Sequence, residues 1–313
     1  MTPQTPGPLL AACHDFSHRL PASLTPGGNG WAAGMACMLE ASAPKPGNVH
    51  PGADFPDLSH AELMAAAEAI APVFDASRRM PLGDLILDAV RRSRAVTRSN
   101  ANLGIILALA PLAAVSEGTW RECRRRDSFA LVCDEAATAI AGLGAVGAAL
   151  VWTAIGLASP GGMDRADRHD LAGPPPADML DAMRIAAERD QIARLWACGY
   201  AELCEGLLAD LAAALDRGLP WREAIVDGFL RQLARTPDSL IKRRHGSAVA
   251  AEVSRRAAAV LAMPPERRLA AEAEFDRSLR VPRRINPGTT ADLVAAAVYI
   301  LLRSSCHDRT TTP

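Results

Sequence analysis

Residues 178–217 read DMLDAMRIAAERDQIARLWACGYAELCEGLLADLAAALDR. Apolar side chains recur there at helical spacing, with no strand-like alternation and no internal proline. The pattern is too long for one straight helix, and Gly199 and Gly206 mark where a bend is expected. The same alanine- and leucine-rich texture, punctuated by proline and glycine, extends outward from Trp31 to Arg303. The expected fold class is therefore all-α, a single compact multi-helix bundle spanning residues 31–303.

Several helix boundaries are legible. Ser59 and Glu62 have the spacing of a capping box ahead of LMAAAEAIAPVF, and Thr289 and Asp292 have it ahead of LVAAAVYILLR. Further helices are expected near 220–235, 238–245 and 247–262. Residues 1–30, with Pro3, Pro6, Pro8, Pro21, Pro26 and Gly27-Gly28-Asn29-Gly30, read as a disordered lead-in, and 304–313 as a flexible tail. Residues 136–163 carry no charge and are long enough to span a membrane. Gly142, Gly144 and Gly147 would suit close helix packing there. One or two helices buried in a bundle are the favoured reading, because neither flank is markedly basic; a membrane role is disfavoured.

The chain has 313 residues, 49% of them hydrophobic, enough for a substantial core. A net charge of −1 argues against nucleic acid as a partner, so an anionic ligand would need a local basic cluster. The seven cysteines form no C-x-x-C pair, and their odd number suits no simple disulfide framework. With no signal-like N-terminus, a cytoplasmic location is expected. Of 34 basic residues only Lys45 and Lys242 are lysines. A lysine kept where arginine is the default points to a need for a compact ammonium, although a GC-rich genome explains the bias equally well. No P-loop, nucleophile elbow, H-E-x-x-H helix or dinucleotide-binding turn is present.

Four polar clusters sit at breaks between apolar helices. The first is APKPGNVHPGADFPD, residues 43–57, either a connector or the floor of an active site. The second, RSNANLG at 98–104, offers Asn100 or Asn102 as an N-cap or as a cradle for phosphate oxygens. In the third, Asp190 and Arg194 have the spacing of a surface ion pair, while an inward-facing Asp190 would suit magnesium or a ribose hydroxyl. The fourth joins PDSLIKRRHG to INPGTTAD. Asp238, Lys242, Arg243, Arg244 and His245 read as ordinary capping, yet the basic four also match a triphosphate's charge. Asn286, Gly288, Thr289 and Thr290 could present donors to phosphate, with Asp292 repelling it unless a cation intervenes.

In this order the motifs PKPGNVH, NANLGIILALAPL, SPGGMDRADRHDL, MRIAAERDQIARLWACGY, TPDSLIKRRHG, VSRRAAAVL and NPGTTADLVAAAVYILLR resemble the triphosphoribosyl-dephospho-CoA synthase family, from about Met38 to Arg303. Those enzymes make the prosthetic-group precursor of citrate lyase and malonate decarboxylase. The resemblance implies an all-α enzyme that takes ATP as ribosyl donor, releases adenine and joins the triphosphoribosyl unit to the 2′-hydroxyl of dephospho-CoA. Such a reaction needs a carboxylate for the oxocarbenium-like ribosyl, a base for the attacking hydroxyl, and Mg²⁺ with cationic donors for the triphosphate. Asp54, with His50 as alternative, is the expected base or stabiliser. Lys45, Asn48, Asn100, Asn102, Arg243, Arg244, Asn286, Thr289 and Thr290 are expected on the triphosphate, and Asp190 and Asp238 on magnesium. PGNVH and SNANLG depart from the citrate-lyase branch, which has Pro-Gly-Leu-Val-Asp and a Thr-His-Lys-Gly-type segment. They resemble a divergent branch in methanogens and tetrahydromethanopterin-dependent bacteria, with a pterin-cofactor precursor as the alternative acceptor. A non-catalytic helical partner protein is a third reading, and a homo-oligomer is an open option.

Overall fold

A computed structural model describes residues 7–97, 102–126, 128–158 and 173–305. Sixteen α-helices and no strands form among them, as the period-3.6 texture predicts. The first four are α1 (Gly7–Phe16), α2 (Asn29–Ser42), α3 (His60–Asp75) and α4 (Leu82–Val96). Then come α5 (Leu103–Ala113), α6 (Glu117–Arg126), α7 (Ala130–Ala141) and α8 (Gly144–Ala158). The middle of the chain gives α9 (Met179–Ala186), α10 (Gln191–Ala197), a π-helical turn at Leu203–Leu208, α11 (Ala209–Asp216) and α12 (Trp221–Arg235). The last are α13 (Ser239–His245), α14 (Ser247–Leu261), α15 (Pro265–Arg280) and α16 (Gly288–Ser305).

Three helices form the centre. Every residue of α2 is buried, and α5 and α16 are buried along nearly their whole lengths. Their sequences are apolar on all sides, which is what a helix surrounded by other helices requires. α16 packs against α2 and α5, α3 covers α2, and α4 packs between α3 and α8. The α4–α8 crossing is close: a Cβ on Gly83 would stand 2.9 Å from the Gly147 Cα, so glycine on both sides sets the separation.

Local signals that depend on neighbouring residues hold. The Ser59 capping box is complete, with Ser59 Oγ accepting from Glu62 N–H and the Glu62 carboxylate accepting from Ser59 N–H. The helices expected near 220–235, 238–245 and 247–262 form as α12, α13 and α14. The long 178–217 pattern breaks at Gly199, where Gly199 and Tyr200 both adopt positive φ, at 63° and 69°. Gly206 lies inside the π turn and continues the helix. A further break, between α9 and α10, comes from Asp190, whose side chain caps a new helix start.

Other expectations are corrected. Residues 7–30 are not a structureless lead-in: α1 forms because Leu9, Ala12 and Cys13 find buried places on the core, and α2 already begins at Asn29. Residues 1–6 lie outside the described set. At the other end α16 runs on to Ser305, and 306–313 lie outside it. Thr289 and Asp292 do not make a capping box, because α16 starts at Gly288 and both residues are already helical. The uncharged 136–158 stretch is two helices bent by 95°, and among the described residues no single helix is long and apolar enough to cross a membrane. α8 buries Ala148, Val151, Ala154, Ile155 and Ala158 but leaves Val146 79% exposed, so it lies at the bundle's rim.

Candidate active site

The 43–58 loop joins α2 to α3 and turns its polar residues in different directions. Lys45 is fully buried, with Nζ 2.9 Å from Glu40 Oε1 and donating also to the backbone carbonyls of Glu40 and Ala43. Burial pushes the Lys45 ammonium down and the Glu40 carboxyl up, each opposed by the other's charge. Asn48 donates to Asn286 Oδ1 at 2.8 Å, tying the loop to the segment before α16. Gly47 N–H donates to Asp276, and Arg280 spans Asp276 and the Asn48 carbonyl, so the end of α15 fixes the loop from outside. His50 is half-buried, and desolvation pushes its imidazole below the ordinary histidine range, which keeps it neutral near pH 7. Asp54 is exposed, and one of its oxygens accepts from His60 N–H at the start of α3.

Three helix starts meet beside this loop. Asp238 is fully buried, and both its oxygens are used. Oδ1 accepts from Ile241 N–H at the head of α13, while Oδ2 accepts from Thr290 N–H and Oγ1 at the head of α16. Ser239 Oγ donates to Thr289 Oγ1 at 3.1 Å and accepts from Gln191 N–H, which adds α10 to the junction. Asp190 caps α10 through Oδ1, and its Oδ2 pairs with Arg243. It makes no pair with Arg194, which instead grips Glu202. Two donors at this junction, Gln191 Nε2 and Arg243 Nε, are buried and without a partner.

Asp292 lies one turn into α16, facing the first turn of α5. A Cβ on Gly104 would come within 2.0 Å of Asp292 Oδ2. Asp292 has no hydrogen bond or ion pair among the described residues, although it is not sealed from solvent. Burial pushes its carboxyl well above the usual range, and the neighbouring charges of Glu40, Asp238 and Asp190 push it the same way, with Arg243 opposing. Four carboxylates thus share one region with two cationic side chains, Lys45 and Arg243. Asn102 occupies the N-cap position of α5 without capping it, and its buried Nδ2 has no partner.

The expected residues divide accordingly. Asp238, Thr289 and Thr290 meet at the helix junction with Asp190 and Arg243 beside them, Asn48 pairs with Asn286, and Lys45 pairs with Glu40, whereas Arg244 is exposed. Asn100 and the SPGGMDRADRHDL motif lie outside the described residues. Asp238 and Asp190, the residues expected on magnesium, both have partners within the fold. Asp238 uses both oxygens on helix starts, and Asp190 uses one on α10 and the other on Arg243. Asp292, read from the sequence as a capping partner that would repel phosphate unless a cation intervened, makes no hydrogen bond or ion pair among the described residues, and Glu40 and Gln191 were not singled out. The signal for Asp292 was its place in a polar run that opens a long apolar helix.

Among the described residues no three acidic, histidine or cysteine side chains could by themselves hold a metal. Magnesium needs less when it arrives with a polyphosphate: one or two carboxylates, phosphate oxygens and water complete its shell. An available carboxylate in an acid-rich region fits that mode.

Residues 29–310 match the family model CitG: ATP:dephospho-CoA triphosphoribosyl transferase. The chain belongs to this family. It is a transferase enzyme family, all-α here, whose description names ATP and dephospho-CoA. No curated protein matches the chain. A crystal structure from Archaeoglobus fulgidus, whose name proposes a triphosphoribosyl-dephospho-CoA synthase, is similar with a TM-score of 0.59 and 23% identity, covering 77% of this chain and 98% of its own. That likeness is one of fold. In this member of the triphosphoribosyl transferase family, the LGIILALAPL part of its motif lies in α5, SLIKRRH in α13 and GTTADLVAAAVYILLR in α16, so three motifs that are distant in sequence converge at Asp292 and Asp238.

Proposed function

We propose that the triphosphoribosyl unit of ATP is transferred to the 2′-hydroxyl of dephospho-CoA in the cleft between Asp292, the start of α5 and the α13–α16 junction. The observation that carries this reading is Asp292 itself, a half-buried carboxylate with no hydrogen bond or ion pair among the described residues, in a region with unpartnered donors. Breaking the N-glycosidic bond of ATP leaves positive charge on the ribose, and a carboxylate in a poorly solvated place stabilises that charge far more than one in water. Asp292 takes this role in place of the exposed Asp54, its raised carboxyl ionising as the positive charge arrives beside it. His50, neutral near pH 7, is suited to accept the proton of the attacking hydroxyl from the loop side. The start of α5, with Asn102, and the donors of Arg243 and Gln191 supply hydrogen bonds to the triphosphate oxygens. Asp292 would also hold the magnesium that neutralises the triphosphate when it is bound.

Replacing Asp292 by Asn is expected to lower adenine release from ATP plus dephospho-CoA by at least about 100-fold while the protein stays folded. Turnover near that of the unaltered protein would sink the assignment. A second reading concerns the acceptor alone, and it rests on the sequence GNVH at 47–50 and NANLG at 100–104, which depart from the citrate-lyase branch at the site. In a divergent branch of the family, as in methanogens and one-carbon pathways, the acceptor would be a precursor of a pterin cofactor. Adenine release with dephospho-CoA supports the first acceptor. Release only with a pterin ribosyl acceptor supports the second.

A further inference from the structure

Away from the cleft, Cys133 on α7 and Cys204 on the helical segment after Gly199 face each other with their sulfurs 2.7 Å apart. A disulfide bond needs a separation of about 2.0 Å, so only a small approach of two side chains stands between this contact and a covalent link. We propose that Cys133 and Cys204 are an oxidation site that a hydroperoxide converts to an intramolecular disulfide.

Three observations carry the proposal. The two sulfurs are already in contact although the residues are 71 positions apart, so the fold itself holds them together. The backbone under them is built for close approach: at Gly199 a Cβ would meet the Ala137 Cβ of α7 at 3.2 Å, which brings α7 against the turn leading to Cys204. Access is also present. Cys133 is buried but Cys204 is only partly so, which leaves a small oxidant a path to the pair from the Cys204 side. The hydrogen bond from Cys204 pushes the Cys133 thiol below its ordinary range, while Cys204 is pushed well above and keeps its proton. This favours Cys133 as the attacking sulfur.

The chemistry balances without a bound cofactor. The Cys133 thiolate attacks one peroxide oxygen, the O–O bond breaks, and the departing oxygen leaves as water or alcohol after taking a proton, so that Cys133 becomes a sulfenic acid. Cys204 sulfur then attacks the Cys133 sulfur; its proton leaves with the sulfenic oxygen as a second water. Two thiols are oxidised by two electrons and one peroxide is reduced. The product joins α7 to the Leu203–Leu208 turn and closes a long loop, which restricts the unfolded chain.

The test is oxidation of the full chain with stoichiometric hydrogen peroxide, followed by peptide mapping without reductant. The expected result is one Cys133–Cys204 cross-linked peptide, an intact mass lower by about 2 Da, and reversal by dithiothreitol. Oxidised protein should melt at a higher temperature than reduced protein. In Cys204→Ser the resolving thiol is lost, and a sulfenic-acid trap such as dimedone should label Cys133. The unaltered protein provides its own control, since the mapping needs no variant to fold. Oxidation of other cysteines with Cys133 and Cys204 left as thiols, or conversion of both to sulfinic acids with no cross-link, would overturn the proposal.

Discussion

Asp292 and Gly104 constrain each other. With the Asp292 oxygen where it is, no side chain fits at 104, and α5 accepts a glycine in its first turn although alanine would favour the helix by about 1 kcal/mol. Gly104→Ala is therefore expected to displace the carboxylate: adenine release should fall at least about tenfold, since a misplaced catalytic group loses its orientation, with little change in melting temperature. Parallel activity and thermal-melt measurements check this. Lys45 and Glu40 make the opposite kind of pair, two charges whose main function is to satisfy each other in a dry interior. Lys45→Met leaves Glu40 buried without its cation and should cost about 3–5 kcal/mol, while Lys45→Met with Glu40→Gln should recover much of that loss. Urea denaturation of the single and double variants measures the difference. The lone ammonium in PKPGNVH was legible as unusual from the sequence. Its partner was not singled out, because Glu40 belongs to the preceding helix and nothing in its local pattern marks it as buried.

At the scale of elements, the site depends on how helix beginnings are joined. Asp238 holds the heads of α13 and α16 with one side chain, accepting three hydrogen bonds inside the core. Asp238→Ala would leave those donors buried without acceptors, at a cost of about 3 kcal/mol or more, and both helix starts should loosen together. Amide hydrogen exchange should rise at Ile241 and Thr290 in the same variant. Exchange confined to α13 would contradict the shared role. The capping reading of Asp238 was legible from PDSL, since a cap acts within three residues. Its second contact spans 52 positions, and no local spacing encodes it. The Thr289–Asp292 spacing misled for the converse reason: the right residues at the right interval are not a cap when the helix begins before them.

For the whole molecule, the acid-rich region around Asp292 couples stability to pH. Burial raises Asp292, Glu40 and Asp238 in the folded state, and at Asp292 the neighbouring carboxylates push the same way. The folded protein therefore holds protons that the unfolded chain releases near the ordinary aspartate value of 3.8. Their contribution is fully favourable below that value and is lost as pH rises through the raised folded-state values. Asp227 acts in the other direction: lowered among its arginines, it contributes stability above 3.8 that is lost on acidification. Asp292→Asn should flatten the decline of melting temperature on the alkaline side and leave the acid limb unchanged, as thermal melts across pH would reveal. An unchanged alkaline slope would mean that Asp292 is not held protonated.

By itself the sequence determined the all-α class, most helix positions, the complete Ser59–Glu62 cap and, through seven motifs in order, the family. These depend on periodicity and on neighbours a few residues apart, which the chain carries locally. Only the tertiary structure decided that α1 is part of the core, that Lys45 is matched by Glu40, that Asp190 belongs with Arg243, and that Asp54 stands exposed while Asp292 is half-buried without a partner among the described residues. The physical reason is burial: whether a charge is solvated, paired or isolated depends on which helices pack around it, and here those helices meet across intervals such as the 53 residues from Asp190 to Arg243.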